Sequence, residues 1–573
     1  MGAYFVIAVI VGLIVGLVAT RLSPVKVFSG ALGVLYFTGF IGAEQVLDKA
    51  TNLGLVTLLA LLLVSLGLEK LNVLTALSNR LLHPNLPFSI VRLGLVSAVS
   101  SAFLNNTAVV ATLAGGIQRN KNHRPSKLLI VLSYSAIMGG TMTLIGTSTN
   151  LIVNSFLLDS GTSGFNLFDF FPIGAVATLS GLLTLAVFSK LLPDHTVGDK
   201  AITDYLLEAE VTPDSSLIGK SVADNGLRDL SGLFLVEIVR DGQLITPVTP
   251  REVLQASDRL IFSGDVARLH VLDEFDGLKS FAMEEGLLRS NLTEVIVLPG
   301  ATVEGRTIKA SGFRSLFDAA VVGVSRGGLP LSGKLGDIAL RAGDSLILAI
   351  GPDFRRRNNL RRNFVIVDST IDSGRVSSTQ SSSMLLGLGL VVTGAALGWF
   401  QLVSGLALLL TFMLATGSVS VRELRRRFPF DLWLIITSAL CVSQALADTG
   451  FINQLLEHVQ GLFGGLNPIY ALIAVYLLTL LMTELMTNTA AAALIFPLAA
   501  SFAAALQVDV VPFAAAVAFG ASASFLTPFG YTTNLMVQNM GGYRLGDYLR
   551  VGAPVSLVYT TVALTLIPRV FPF

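Results

Sequence analysis

Three adjacent polar side chains, Asn105, Asn106 and Thr107, interrupt the apolar stretch that runs from Ser101 to Ala108 and on to Gly115. Burying such groups without partners costs roughly 2–7 kcal/mol each. The chain must therefore leave the regular helix here and find partners inside the protein. The pattern returns far downstream as Thr483-Glu484-Leu-Met-Thr487-Asn488-Thr489-Ala490. Each copy precedes a second polar signal, Gly146-Thr147-Ser148-Thr149-Asn150 and then Gly530-Tyr531-Thr532-Thr533-Asn534. Asn106 and Asn150 are 44 residues apart, Asn488 and Asn534 are 46. Interrupted hydrophobic segments at corresponding places in two halves point to the binding site of a secondary transporter.

Composition agrees with a membrane setting. The 573 residues are 52% hydrophobic and 13% charged, with a mean hydropathy of +0.71. Globular domains carry about 25% charged residues. A net charge of +1 argues against nucleic acid as a partner, which needs a concentrated basic face. The single cysteine, Cys441, lies in an apolar run and rules out a disulfide framework or cysteine metal site. The first segment, Tyr4 to Thr20, has no basic leader and no small-residue cleavage site, so it is expected to stay as a membrane span.

Apolar runs of about the 20 residues that cross a bilayer occur at 4–20, 27–47 and 53–68. A longer region, 88–118, is broken at Asn105-Asn106-Thr107; 127–157 is broken between Gly146 and Asn150, and 167–192 follows. After a mixed, strand-like stretch, apolar runs resume at 384–400, 402–416 and 431–447. The region 466–506 is broken at Thr487-Asn488-Thr489 and 511–540 between Gly530 and Asn534; 551–571 closes the chain. The expected organisation is a transmembrane half over 1–192, an insert over 193–383 and a second transmembrane half over 384–573. Regions 88–118 and 466–506 are too long for one crossing and too interrupted for two, which fits a re-entrant helical hairpin in each half. The fold class is thus a polytopic α-helical membrane protein, an inverted repeat with two re-entrant hairpins and broken helices, carrying inserted α+β tandem domains.

Charge supports this topology. With three spans, a hairpin and two more spans, Arg21, Lys26, Lys70, Arg80, Arg92, Arg119, Lys121, Arg124 and Lys127 share one face with the insert. Arg422, Arg425, Arg426, Arg427, Arg544 and Arg550 fall on that face too, against Lys49 and Arg569 opposite. Lysine and arginine favour the cytoplasmic side, so the insert is expected in the cytoplasm and both termini outside a multi-pass cell (inner or plasma) membrane.

The insert repeats itself. Gly219, Gly226, Leu227, Arg228, Asp258 and Leu260 recur 86 residues later as Gly305, Gly312, Phe313, Arg314, Asp344 and Leu346. Asp241-Gly242 and Gly327-Gly328 each follow an apolar run, a hairpin signal. Two small α+β modules are expected over 211–275 and 292–357, with a Ser-rich linker at 372–383. Through Leu217-Ile-Gly219-Lys220-Ser221, the hairpins, and Ala256-Ser257-Asp258-Arg259-Leu260 with its copy Ala342-Gly343-Asp344-Ser345-Leu346, they resemble the RCK-C (TrkA-C) module of potassium-conductance regulators. That resemblance implies a homodimer and a small-molecule regulator bound at the modules; a purely structural insert is the other reading. No Gly-x-Gly-x-x-Gly between strand and helix is seen, so no NAD site is expected.

Unwound backbone offers carbonyl oxygens, and hydroxyl and amide side chains add neutral oxygens, the ligands that sodium ions take in broken helices. Half-helices starting after each break direct N–H groups and a positive dipole end into the same cavity, which suits an anion. Thr147, Ser148, Thr149, Thr532 and Thr533 supply hydroxyl donors.

The membrane halves resemble the divalent anion:sodium symporter family over nearly their whole length. Asn105-Asn106-Thr107 and Thr487-Asn488-Thr489 are similar to its Ser-Asn-Thr hairpin tips. Ser101 and Thr483 stand at its upstream hydroxyl, and Gly139 to Thr147 is similar to its unwound-helix signature. The resemblance implies one sodium site at Ser101, Asn105, Asn106 and Gly146, and a second at Thr483, Asn488 and Gly530. It implies substrate contact by Asn106, Thr107, Thr147, Asn488, Thr489 and Tyr531, joined by the donors Ser148 and Thr532. Many family members, dicarboxylate carriers included, read Gly-Thr-Pro-Pro-Asn where this chain has Gly-Thr-Ser-Thr-Asn and Gly-Tyr-Thr-Thr-Asn. Asn105 also stands where serine is usual. The added hydroxyls are similar to the sulfate-carrying branch, so sulfate is the expected substrate and a dicarboxylate the alternative, with elevator-like movement of the two-hairpin part.

Glu484 beside the second tip has two readings, a proton carrier or a carboxylate that fixes the hairpin. The five histidines, His83, His123, His195, His270 and His458, show no metal spacing, and no hydrolytic triad is present. A channel is disfavoured by the missing Thr-Val-Gly-Tyr-Gly filter. The chain reads as a transporter, not an enzyme.

Overall fold

The computed structural model describes residues 2–20, 22–68, 82–118, 120, 122–195, 206–227, 230, 233–241, 243–245, 248–264, 275–281, 292–298, 301–326, 329–331, 335–351, 353–354, 357, 359–366, 378–449 and 467–573. The first part is helical: α1 (Gly2–Ala19), α2 (Pro24–Phe37), α3 (Ala43–Ala50), α4 (Leu53–Leu68), α5 (Leu86–Ser101), α6 (Asn106–Gln118), α7 (Pro125–Gly140), α8 (Ser148–Asp159) and α9 (Phe171–Val187). Helices α2, α5, α7 and α9 open with proline in the first turn, where its missing N–H is no loss.

The apolar run 27–47 does not form one span. Helix α2 stops at Phe37 because Gly39 adopts φ +78°, a left-handed turn that glycine makes without strain. Helix α3 then starts anew, with the Gln45 side chain accepting the Gly42 N–H at 2.8 Å. It joins α4 with a 43° bend.

Between the helical parts lie two five-stranded antiparallel sheets. The first contains β1 (Leu206–Val211), β2 (Leu233–Arg240), β3 (Gln243–Ile245), β4 (Arg259–Gly264) and β5 (Leu278–Phe281), in the order β3-β2-β4-β1-β5. The second contains β6 (Leu292–Val297), α10 (Phe313–Phe317), β7 (Ala319–Arg326), β8 (Leu329–Pro330), β9 (Ser345–Ile350), α11 (Leu360–Asn363) and β10 (Phe364–Ile366). Its strand order, β8-β7-β9-β6-β10, is that of the first sheet.

The 86-residue repeat now has a physical basis. Gly219 and Gly305 have φ +79° and +75°, Gly226 and Gly312 have +69° and +61°, backbone that disfavours any side chain. The carboxylate of Asp258 accepts from Arg240 at 2.8 Å, and that of Asp344 accepts from Arg326 at 2.7 Å. The sheets pack face to face through Val236, Val239 and Ile261 against Ala320, Val322 and Ala349. The expected hairpins are β2/β3 and β7/β8; their turn glycines Gly242, Gly327 and Gly328, and Arg228 of the repeat, lie outside the described residues. Strands β1, β5 and β10 extend each sheet beyond 211–275 and 292–357, because antiparallel edges recruit flanking segments. Little of either module is helical among the described residues.

The second helical part comprises α12 (Ser378–Ala396), α13 (Leu402–Ala415), α14 (Val421–Arg427), α15 (Phe430–Asp448), α16 (Pro468–Leu485), α17 (Asn488–Leu506), α18 (Val511–Ser522), α19 (Thr532–Gly541) and α20 (Leu545–Val570). Among the described residues, α15, α16, α17 and α20 are long and apolar enough to cross a membrane, as is the bent pair α3–α4. One apolar cluster runs through both helical parts, from Val6 to Ile567. Helix α7 is buried on every face from Leu128 to Gly140, and α18 from Pro512 to Ser522. These two helices, each directly before a break, form the centre of the bundle. The second module touches it: Ile296 joins the apolar cluster, and the turn at Gly343 lies against Leu535 and Asn539 of α19.

Candidate functional site

The helical breaks fall earlier than the polar motifs. Helix α7 ends at Gly140, not near Gly146, and residues 141–147 are unwound before α8. Helix α18 ends at Ser522, and 523–531 are unwound before α19. Close packing explains the first stop. A Cβ on Gly139 would collide with the Ala98 backbone, and one on Gly140 would stand 2.7 Å from Asn106 Oδ1. The glycine pair thus lets α5 and the first tip press into the end of α7.

At that tip, α5 ends at Ser101 and α6 begins at Asn106. Asn105 Oδ1 accepts the Thr107 N–H at 2.9 Å, capping the new helix. Ser101 Oγ donates to Asn106 Oδ1. Asn106 Nδ2 donates to the Tyr531 phenol at 2.7 Å, across 425 residues of sequence. The phenol lies 3.0 Å from Thr147 Oγ1, which lies 3.2 Å from Thr149 Oγ1, which lies 2.7 Å from Ser522 Oγ. Beside this chain, Thr107 Oγ1 and Thr532 Oγ1 are 3.1 Å apart. Six polar side chains from both halves therefore form one connected, buried network, with the Thr107–Thr532 pair beside it.

Two oxygen clusters flank it. A Cβ on Gly146 would collide with the Gly140 carbonyl oxygen and stand 3.0 Å from that of Ala102. A Cβ on Gly530 would collide with the Thr483 carbonyl oxygen and with Ser524 Oγ. Ser524 Oγ is buried and has no protein hydrogen-bond partner. Hard cations take neutral oxygens of this kind. Thr483 Oγ1 itself donates to the Ala521 carbonyl at 2.7 Å.

The structure brings Ser101, Asn106, Thr107, Thr147, Tyr531 and Thr532 together and puts the Gly146 and Gly530 backbones beside oxygen atoms. Ser148 opens α8 and is half-buried. The second tip behaves differently: Asn488 Oδ1 accepts from its neighbour Thr489 N–H at 3.0 Å, and Thr489 Oγ1 lies 3.3 Å from Thr487 Oγ1. Those bonds stay within the tip. Asn105 also borders a mainly apolar cavity of about 380 Å³ between α6, α4 and α12.

Each unwound stretch is tied back by the asparagine that closes its motif. Asn150 Nδ2 donates to the Thr143 carbonyl at 2.9 Å, and Asn534 Nδ2 to the Ser524 carbonyl at 2.9 Å. Ser133 Oγ bonds Thr533 Oγ1 at 2.9 Å and Asn534 Oδ1 at 2.7 Å. Glu484 Oε1 accepts the N–H groups of Phe525 and Leu526 at 2.9 and 2.8 Å. The carboxylate thus holds the second unwound stretch, while Oε2 is buried with no protein partner.

Sequence reasoning missed Ser524, Ser522, Ser133 and Tyr134. For Ser524 a signal existed: it precedes Gly530 by six residues, as Gly140 precedes Gly146.

The profile of the citrate transporter family matches residues 6–520. The chain is 30% identical to a Chlamydomonas reinhardtii protein provisionally named a sulfur deprivation response regulator, over 93% of this chain and 96% of that protein. It is 32% identical to sodium/sulfate cotransporter 1 of the same alga, over 64% of this chain and 44% of the relative. It is 26% identical to an uncharacterized transporter of Escherichia coli over 94% of each chain. With apolar helices spanning both of its helical parts and a family of transporters rather than enzymes matched over most of its length, the chain belongs to the citrate transporter family of membrane transporters.

Proposed function

We propose that this transporter is a sodium-coupled symporter of sulfate or a similar divalent oxyanion. The observation that carries the reading is the network through Asn106, Tyr531 and Thr147, which joins the breaks of both halves with neutral hydroxyl and amide groups. A compact tetrahedral dianion is best held by several short donors arriving from different directions. The names of the sodium/sulfate cotransporters among the relatives support the same choice. In this reading Asn106, Thr107, Thr147, Ser148, Asn488, Thr489, Tyr531 and Thr532 face the anion. Ser101, Asn105, Asn106 and Gly146 serve one sodium ion, and Thr483, Asn488 and Gly530 the other. Ser524, with its unpartnered hydroxyl, joins the second set.

The two halves act as an inverted repeat, and the two-hairpin part moves as an elevator. The insert is cytoplasmic, both termini are external, and the protein works as a homodimer in the cell membrane. Its sheets serve as RCK-C-type modules that answer to a small-molecule regulator. The second reading, a sodium- or proton-coupled dicarboxylate carrier, is favoured by the family's citrate description.

The test is uptake of radiolabelled sulfate into proteoliposomes with and without an inward sodium gradient. Sodium-dependent uptake that disappears in Asn106→Ala and Asn488→Ala proteins is expected. Uptake driven by a pH gradient alone moves the coupling to protons. Succinate uptake without sulfate uptake replaces the substrate and leaves the paired sites in place.

A further inference from the structure

Thr147 and Tyr531 occupy the same place in their respective halves, and their backbones agree. Each follows the motif glycine and caps the half-helix that begins one residue later. Thr147 has φ −140° and ψ 146°, Tyr531 φ −136° and ψ 134°. The two side chains therefore start from corresponding backbone conformations, and a threonine in one half stands where the other half has a tyrosine. A threonine ends within its own half. The tyrosine carries a ring, 6% exposed, that reaches the other half, where its oxygen accepts from Asn106 at 2.7 Å and meets Thr147 at 3.0 Å.

We infer that Tyr531 is the specificity-determining residue of the anion site. Its ring removes the volume that a second carboxylate would need, and its hydroxyl supplies one donor to a compact oxyanion. The proposal rests on the sulfate reading and adds to it the reason longer dianions are refused. Asn106 donates to the phenol oxygen, so the phenol proton is free to point at Thr147 or at a bound anion. Thr147 adds a hydroxyl 3.0 Å from the phenol, and Thr107 and Thr532, the chain neighbours of Asn106 and Tyr531, add a hydroxyl pair of their own. The ring cannot swing away with its turn, because Gly530 is packed against the Thr483 carbonyl and Ser524 Oγ. Size exclusion is thus fixed by the fold, and donor supply by the hydroxyl. The two contributions can be separated by substitution.

The experiment uses the full-length protein in proteoliposomes and measures sulfate uptake with succinate as competitor, and succinate uptake alone. Wild-type protein is expected to carry sulfate and ignore a large excess of succinate. Tyr531→Phe keeps the volume and loses the donor. It is expected to go on refusing succinate while its sulfate KM rises about 2- to 10-fold, the worth of one hydrogen bond. Tyr531→Thr restores the residue found in the other half, and is expected to admit succinate both as competitor and as cargo. A Tyr531→Thr protein that carries sulfate but stays blind to succinate overturns the inference and leaves the sulfate reading intact. So does a Tyr531→Phe protein that admits succinate as readily as Tyr531→Thr. Wild-type protein that carries succinate overturns both. Should Tyr531→Thr lose sulfate uptake, succinate uptake by it and by Tyr531→Ser decides: uptake supports the ring as the barrier, and its absence in both overturns it.

Discussion

The phenol of Tyr134 donates a 2.6 Å hydrogen bond to the carbonyl oxygen of Phe525, 391 residues further along the chain. Their rings also meet edge to face at 5.2 Å. A central helix of the first half thus holds the unwound stretch of the second, one residue from Ser524. Tyr134→Phe keeps the ring and strands a buried carbonyl, at about 1–3 kcal/mol. The expected outcome is a lower melting temperature and a rise of up to roughly tenfold in the sodium concentration that half-saturates uptake. Sodium titration of sulfate uptake, beside a thermal melt of the purified protein, checks both.

Glu484 can be assigned by comparing two variants. Its Oε1 accepts from Phe525 and Leu526 N–H, a task that a glutamine carbonyl can also perform. Glu484→Gln is therefore expected to keep uptake within about threefold and leave the pH profile unchanged. Glu484→Ala orphans one buried and one half-buried donor, at about 1–3 kcal/mol for the buried one, and is expected to lose at least tenfold. If Glu484→Gln abolished uptake driven by a pH gradient, the residue would be the proton carrier instead.

Thr107 and Thr532 form a direct link between the halves, 3.1 Å apart. Removing either hydroxyl breaks the same bond, so the two losses should not add. Thr107→Val and Thr532→Val are each expected to raise the sulfate KM about 2- to 10-fold. The double variant should fall short of the product by a coupling of about 0.5–1.5 kcal/mol. A double-mutant cycle on KM measures it; strictly multiplicative effects would mean the hydroxyls act separately.

The paired helix breaks before Asn106 and Asn488 were legible in the sequence because buried polar clusters inside apolar runs have few physical solutions, and two matched copies have fewer. The tandem sheets were legible for a related reason: left-handed turns favour glycine, so Gly219, Gly226, Gly305 and Gly312 repeat visibly. The point of unwinding was not legible. It is set by the contact of Gly139 with the Ala98 backbone, a tertiary fact that no local pattern contains. Gly39 ended α2 within a run that hydropathy read as continuous. Ser524 was hidden because an isolated serine in an apolar helix usually bonds its own backbone. Only the six-residue spacing shared with Gly140 and Gly146 distinguished it.

The contact between insert and bundle yields the last prediction. Gly343 has φ +83°, and a Cβ there would stand 3.1 Å from Leu535 Cδ1. Leu535 belongs to α19, whose first residue, Thr532, bonds the first tip. The ten residues of α19 span about 15 Å, so a wedge at Gly343 presses on the helix that starts at the proposed anion site. A side chain at Gly343 also strains its own turn, by about 1–2 kcal/mol, and this must be separated from the wedge. Gly305 supplies the control: its φ is +75°, but nothing lies within 4 Å of a Cβ built on it. Gly305→Leu should destabilise the module while leaving sulfate uptake near wild type. Gly343→Leu should destabilise it comparably and in addition lower uptake severalfold. Limited proteolysis of the insert and uptake, measured on the same preparations, distinguish the two. Equal uptake in both variants would mean that the module rests on α19 without acting through it.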